Sequence, residues 1–272
     1  EFDEALKLAV TTITLDPKFA EAFELRLKCL LLSGKFTQVQ ALIKGRNDAS
    51  NLPSIVKHCI ANPPLRSQKS CDLLWHYFYE IWDPQALEEV YLWLQHFPLQ
   101  QRMKIAGKYL SKINNSHITI KYTIEEKKLY IDLSWQKGLT DLSPLNIFPE
   151  LYSLDLSETA SLKHLNDLKQ LKLTRLVLYH CRGLIDFEAL RGMKLNYLHL
   201  EGTYIRNLDV LKGMPLRELE LGILALNLQP LNSCQQLKKI TIPQGRYPKG
   251  GPYALPKRIS VFLRGKTPEQ IR

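Results

Sequence analysis

The chain has 272 residues, 45% of them hydrophobic and 24% charged, and it carries 37 Lys/Arg against 27 Asp/Glu for a net charge of +10. That length holds a sizeable core with room for two domains, and the composition excludes low-complexity, collagen-like and disulfide-framework proteins. No apolar run approaches the roughly 18 residues of a membrane span, and no signal peptide opens the chain.

The charge is unevenly placed. Residues 1–128 carry 17 Lys/Arg against 14 Asp/Glu, residues 129–244 carry 13 against 12, and the last 28 residues carry 7 against 1. A basic total invites a nucleic-acid reading, but the excess sits in one short tail, so nucleic acid ranks below other partners. The five cysteines (Cys29, Cys59, Cys71, Cys181, Cys234) form no C-x-x-C pair. An odd, scattered set reads as reduced, buried thiols in a cytosolic, cytoplasmic setting rather than as disulfides or a zinc site. The chain has no initiator Met and begins inside a helical pattern, which leads us to expect a piece of a longer protein.

At the N-terminus, Phe2 and Phe36 lie thirty-four residues apart, with Ala5 and Val39 in matching positions. Asp16-Pro17 ends one expected helix, Ala20–Leu32 forms the next, and Gly34 breaks before a third. Residues 1–46 resemble the tetratricopeptide repeat, which implies helix pairs and, in longer arrays, a groove for a peptide. Residues 51–116 read as further helices broken at Pro53, Pro63-Pro64, Pro84 and Pro98. The aromatic run from Trp75 to Trp82 has helical spacing and reads as core. "HITIKYTIEEKKLYIDLSW" then alternates like two strands with "EEKK" as their turn, a hairpin whose second strand opens a sheet and caps it.

From Lys128 onward the sequence repeats. The central aliphatic residue of each L-x-x-L-x-L run falls at Ile131, Leu154, Leu176, Leu198, Leu219 and Ile240, in steps of 21 to 23. A second apolar set comes after each run: Leu139/Leu142/Leu145, Leu162/Leu165/Leu168, Leu184/Phe187/Leu190, Ile205/Leu208/Leu211 and Ala225/Leu228/Leu231. Alternation over a few residues makes a short strand, and third-position spacing suits 3₁₀ turns. One such coil cannot bury its own leucines, but coils stacked in parallel bury them all. These residues resemble the leucine-rich repeat of the bacterial, roughly 22-residue type. The turn position that is often Asn in that family reads Gln136, Thr159, Cys181, Thr203 and Leu224 here. The coil "LGILALNL" is expected to be irregular, and "RISVFLRG" to supply a closing strand.

The expected architecture is an α+β repeat protein. It comprises tetratricopeptide-like helices over 1–50, a helical connecting region over 51–116, a cap strand and leucine-rich repeats over 117–244, and a basic C-terminal cap over 245–272. The wording "LRGMKLNYLHL" and "LKGMPLRELEL", with Gly-Met closing a coil, is further similar to the repeat tails of large bacterial serine/threonine protein kinases of the planctomycete and lentisphaera type. That similarity implies a regulatory or sensing tail, although no kinase motif stands in the chain itself.

No nucleophile elbow, H-E-x-x-H or phosphate loop appears, so the chain is read as a non-catalytic interaction module. Residues facing away from the leucines would line a concave sheet and meet a protein or peptide partner. By coil they are Tyr130, Asp132 and Trp135; Tyr152, Asp155 and Glu158; Arg175, Tyr179 and His180; Tyr197, His199 and Glu201; and Arg217, Glu218 and Glu220. Trp135 and Tyr179 lead this set, and its acidic members disfavour phosphate. His180 and His199 fall on neighbouring strands, where Glu201 or Glu220 would complete a metal site. Dispersed histidines are better read as solvated surface groups, and no metal or cofactor is assigned. Should nucleic acid bind at all, the basic tail with Arg246, Lys249, Lys257, Arg258, Arg264 and Lys266 would hold it.

Overall fold

The computed structural model describes residues 20–44, 51–81, 90–91, 94–222, 224–225, 227–242 and 260–263. The chain divides into two compact units, Glu1–Arg102 and Met103–Arg272.

The first unit is helical. Helices α1 (Ala20–Leu32), α2 (Phe36–Ile43), α3 (Leu52–Ala61) and α4 (Gln68–Ile81) succeed one another, with a 3₁₀ turn at Pro64–Arg66. Helix α1 ends at Gly34, whose φ of 70° lets Lys35 N–H donate back to the Leu30 carbonyl at 2.9 Å. Pro53 opens α3 in its first turn, where a missing N–H costs nothing, whereas Pro63-Pro64 separates α3 from α4. Leu31, Val39, Val56, Leu74, Trp75 and Phe78 are buried at the centre, and the Trp75 ring stacks on Tyr91 at 5.7 Å. Residues 1–19, which carry the first half of the thirty-four-residue spacing, and Trp82 lie outside the described residues.

In the second unit one sheet of eight strands runs in chain order: β1 (Lys121–Glu125), β2 (Lys128–Asp132), β3 (Leu151–Asp155), β4 (Arg175–Val177), β5 (Tyr197–His199), β6 (Glu218–Glu220), β7 (Lys239–Ile242) and β8 (Ser260–Leu263). Strands β1 and β2 form the expected antiparallel hairpin around Glu126-Lys127; every later pairing is parallel. Ile131, Leu154, Leu176, Leu198, Leu219 and Ile240 stand in one register row. All six are 2% exposed or less, so the aliphatic repeat fills a common interior. The unit is a solenoid of parallel stacked coils.

The second apolar set closes each coil through 3₁₀ helices at Ser143–Ile147, Asn166–Leu168, Glu188–Leu190, Asp209–Leu211 and Gln229–Ser233. Four of these starts are held by a side chain two residues earlier. Oδ1 of Asp141, Asp186, Asn207 and Asn227 accepts from the N–H of Ser143, Glu188, Asp209 and Gln229 at 2.8–3.0 Å. At the turn position after the strand, Thr159 and Thr203 donate their hydroxyls to the Leu156 and Leu200 carbonyls at 2.6 and 2.7 Å. Cys181 Sγ reaches the Leu156 carbonyl at 2.9 Å from the next coil. Burial pushes its thiol up to about 11.

Helix α5 (Leu99–Ile113) precedes the hairpin, and one residue beyond it Asn114 clamps the first coil. Its Oδ1 accepts from Thr140 N–H, Thr140 Oγ1 and Asp141 N–H at 2.7–2.9 Å, while its Nδ2 donates to the Leu110 and Asp141 carbonyls. No periodicity in the sequence hints at this contact, whose partners in the coil lie 26 and 27 positions away.

Candidate functional site

Parallel register turns the polar side of the sheet into columns. One runs Ser153, Arg175, Tyr197, Glu218, Lys239, and the next runs Asp132, Asp155, Val177, His199, Glu220, Thr241. The residues expected on this face all retain solvent access, with Trp135, Arg217 and Glu218 the most open. Four features define their arrangement.

First, the register slips between Leu129 and Tyr130, so Tyr130 faces Ser153 rather than Tyr152. Tyr152 stands in an earlier row, joined by backbone hydrogen bonds to Thr174 and through it to Asn196 and Arg217. Its ring meets Tyr130 at 5.4 Å and lies beneath the Lys128 ammonium at 4.8 Å.

Second, Asp132 and Asp155 act locally. Each Oδ1 accepts from the N–H two residues on, at Ser134 and Ser157, at 2.8 Å, and Asp155 also takes the Ser157 hydroxyl at 2.5 Å. These carboxylates shape the turn after the strand.

Third, that turn places Trp135, Glu158 and His180 at φ of 63°, 60° and 55°, with Gly202 at 76° in the same row. Left-handed backbone is costly for side-chain-bearing residues, yet three successive coils adopt it. The row is held by hydrogen bonds from Trp135, Glu158 and His180 N–H to the Ser157, Tyr179 and Glu201 carbonyls, each 2.8 Å. Trp135 is 69% exposed.

Fourth, His180 turns away from His199 and pairs with Glu158 at 2.8 Å through Nδ1, with its ring stacked on Tyr179 at 3.9 Å. His199 also meets Tyr179, its ring 5.2 Å distant. Its Nε2 stands 3.6 Å from Oε2 of both Glu201 and Glu220. Among the described residues this trio alone brings three potential metal donors of His, Cys, Asp or Glu within 4.8 Å of one another. Tyr197 donates its hydroxyl to Glu220 Oε1, and the Arg175 guanidinium covers the Tyr197 ring at 3.6 Å. Burial, then the Glu220 carboxylate, holds the Tyr197 hydroxyl protonated well above its usual range.

The expected face ended at Glu220. The sheet extends both columns to Lys239 and Thr241, and Lys239 pairs with Glu218 at 3.3 Å. A separate concavity of about 520 Å³ lies within the helical unit, where Leu32, Phe36, Cys59, Ile60, Leu65 and Phe97 form much of its wall. It gathers no set of ionisable groups suited to chemistry. The basic residues of the C-terminal tail lie outside the described residues.

No helix among the described residues is long and apolar enough to cross a membrane. No family model matches the chain, and no curated protein does. Among solved structures the chain is similar to the internalin inlF from Listeria monocytogenes, at 23% identity over 46% of this chain and 38% of that one, with a TM-score of 0.40. It is also similar to internalin C2 of the same organism, at 18% identity over 49% of this chain and 80% of that one, with a TM-score of 0.36. The chain thus spans well under half the length of the first of these structures.

Proposed function

We propose that this chain is a non-catalytic interaction module whose concave leucine-rich-repeat face docks a protein or peptide partner, with a tetratricopeptide-like helical part preceding it. The observation that carries this reading is Trp135. A tryptophan gains stability from burial, yet this one is 69% exposed and occupies left-handed backbone. Neither core packing nor backbone preference accounts for a large aromatic in that place, whereas partner surfaces favour rigidly held Trp and Tyr. Tyr179, the rings and carboxylates in register beside it, and the Lys239–Glu218 pair supply the mixed aromatic and charged surroundings of such an anchor.

Capture experiments from the native organism test the reading. The intact chain and a Trp135→Ala/Tyr179→Ala double variant should differ in the proteins they retain. Equal recovery of the same proteins by both would remove this face from consideration.

The second reading, a regulatory tail of a serine/threonine kinase, rests on the two Gly-Met wordings. Gly192 and Gly213 have φ of 80° and 72°, and Met193 and Met214 are buried behind them. The wording therefore meets a local need of coil closure, which any stacked repeat shares. Reading the coding sequence upstream for a glycine-rich loop, H-R-D and D-F-G decides between a kinase and another parent chain.

A further inference from the structure

We infer that His199, Glu201 and Glu220 form a binding site for one divalent transition-metal ion of the zinc type, open to solvent at its remaining coordination position. The inference is independent of the partner reading, since it concerns the ion alone.

The sequence places the three donors by simple means. His199 ends β5 and Glu201 comes two residues later, so both face the polar side. Glu220 ends β6 and is the register partner of His199. The backbone is fixed on both sides: Leu200 N–H donates to the Glu220 carbonyl at 2.7 Å, and His180 N–H to the Glu201 carbonyl at 2.8 Å. His199 and Glu220 are thus set by strand positions, and Glu201 by the turn after β5, where its carbonyl accepts from His180.

The spacing fits an ion better than a proton. Nε2 of His199 has no hydrogen-bond partner although it is buried from water. The two carboxylate oxygens nearest to it stand at 3.6 Å, beyond the roughly 2.7–3.2 Å of an N–H···O bond. A tetrahedral zinc ion with bonds of about 2.0–2.1 Å requires donor–donor edges of roughly 3.3–3.4 Å; the two edges from His199 stand at 3.6 Å and all three donors lie within 4.8 Å of one another. The side chains are 12%, 19% and 25% exposed for His199, Glu201 and Glu220, so the trio is sheltered yet reachable.

Charge argues the same way. Two carboxylates share this sheltered space, and a divalent cation would neutralise both. Tyr197 occupies Oε1 of Glu220 and leaves Oε2 directed toward His199, the arrangement by which an outer hydrogen bond orients a metal ligand. The Arg175 guanidinium covers the Tyr197 ring at 3.6 Å, and the Tyr197 hydroxyl in turn bonds Glu220. One imidazole with two carboxylates favours zinc, cobalt or nickel over calcium or magnesium, which take oxygen donors in larger number.

Zinc and cobalt titrations of the chelator-stripped chain test the site by calorimetry, with the visible spectrum of bound Co²⁺ as a second readout. One equivalent should bind, Co²⁺ should show the intense absorption of a tetrahedral nitrogen–oxygen site, and zinc should raise the thermal midpoint. His199→Gln and Glu220→Gln should each weaken binding by at least about 100-fold, and Tyr197→Phe by about 10–100-fold as a positioning residue. The circular dichroism of each variant establishes that it is folded. Absence of binding, or binding unchanged in folded His199→Gln and Glu220→Gln, overturns the inference.

Discussion

The imidazole of His180 lies across Gly202, in the space that a Cβ at position 202 would occupy. Gly202 also has φ of 76° and is the glycine member of the left-handed row that begins with Trp135. Gly202→Ala should therefore act twice, by straining the backbone and by displacing His180 from Glu158. We expect a loss of roughly 1–3 kcal/mol in urea unfolding. A loss of a few tenths would show that His180 moves aside without consequence.

Trp135 makes the opposite case. Removing an exposed side chain forfeits little burial, and glycine relieves the positive φ of 63°. Trp135→Gly should leave stability unchanged or raise it by up to about 1 kcal/mol, while partner capture is lost. Leu198→Ala, at a fully buried position one face away, should cost roughly 2–5 kcal/mol. Chemical denaturation of the two variants side by side checks the contrast.

The periodic residues were legible because a stacked coil repeats by translation. Each coil meets the same neighbours, so aliphatic spacing from Ile131 to Ile240 determines strand register without further information. The hairpin turn at Glu126-Lys127 came instead from strand alternation, while the turn position of Thr159, Cys181 and Thr203 followed from the repeat. Side-chain pairing across coils does not repeat in this way. The slip between Leu129 and Tyr130, the local use of Asp132 and Asp155, and the turning of His180 toward Glu158 each depend on stagger and rotamer within one coil. A usable signal was nonetheless present: His199-x-Glu201 with a Glu one repeat later at Glu220 places two donors at the ends of adjacent strands and the third in the turn just after the first.

Asn114 links the end of α5 to the first coil through five hydrogen bonds. Thr140 is exposed, so water replaces part of what Asn114→Ala removes. The expected cost is roughly 1–2 kcal/mol, and backbone amide exchange at Thr140 and Asp141 should accelerate more than exchange at Leu176. Uniform acceleration through all strands would contradict a local clamp.

All five cysteines are buried, and burial pushes the Cys59 and Cys181 thiols up to about 11. Burial raises Cys71 further, with Asp72 and Cys59 adding to it. A thiol-specific reagent at pH 8 should leave the native chain unmodified and label all five cysteines in denaturant. An unfolded thiol ionises near pH 8.5, before the folded one, so the unfolded state binds fewer protons between that pH and about 11. The thiol contribution to stability is complete below pH 8.5 and declines as pH rises toward 11. Urea midpoints should therefore fall over that interval, and less steeply in Cys181→Ala; an equal slope in the variant would contradict the assignment.

Methyl–methyl nuclear Overhauser contacts measured on the selectively labelled chain address the stacked interior directly, and both the docking face and the metal trio stand on that interior. The account predicts a single chain of cross-peaks linking Ile131, Leu154, Leu176, Leu198, Leu219 and Ile240 in that order. Cross-peaks in an antiparallel order, or methyls of these residues broadened by a paramagnetic agent confined to solvent, would contradict it.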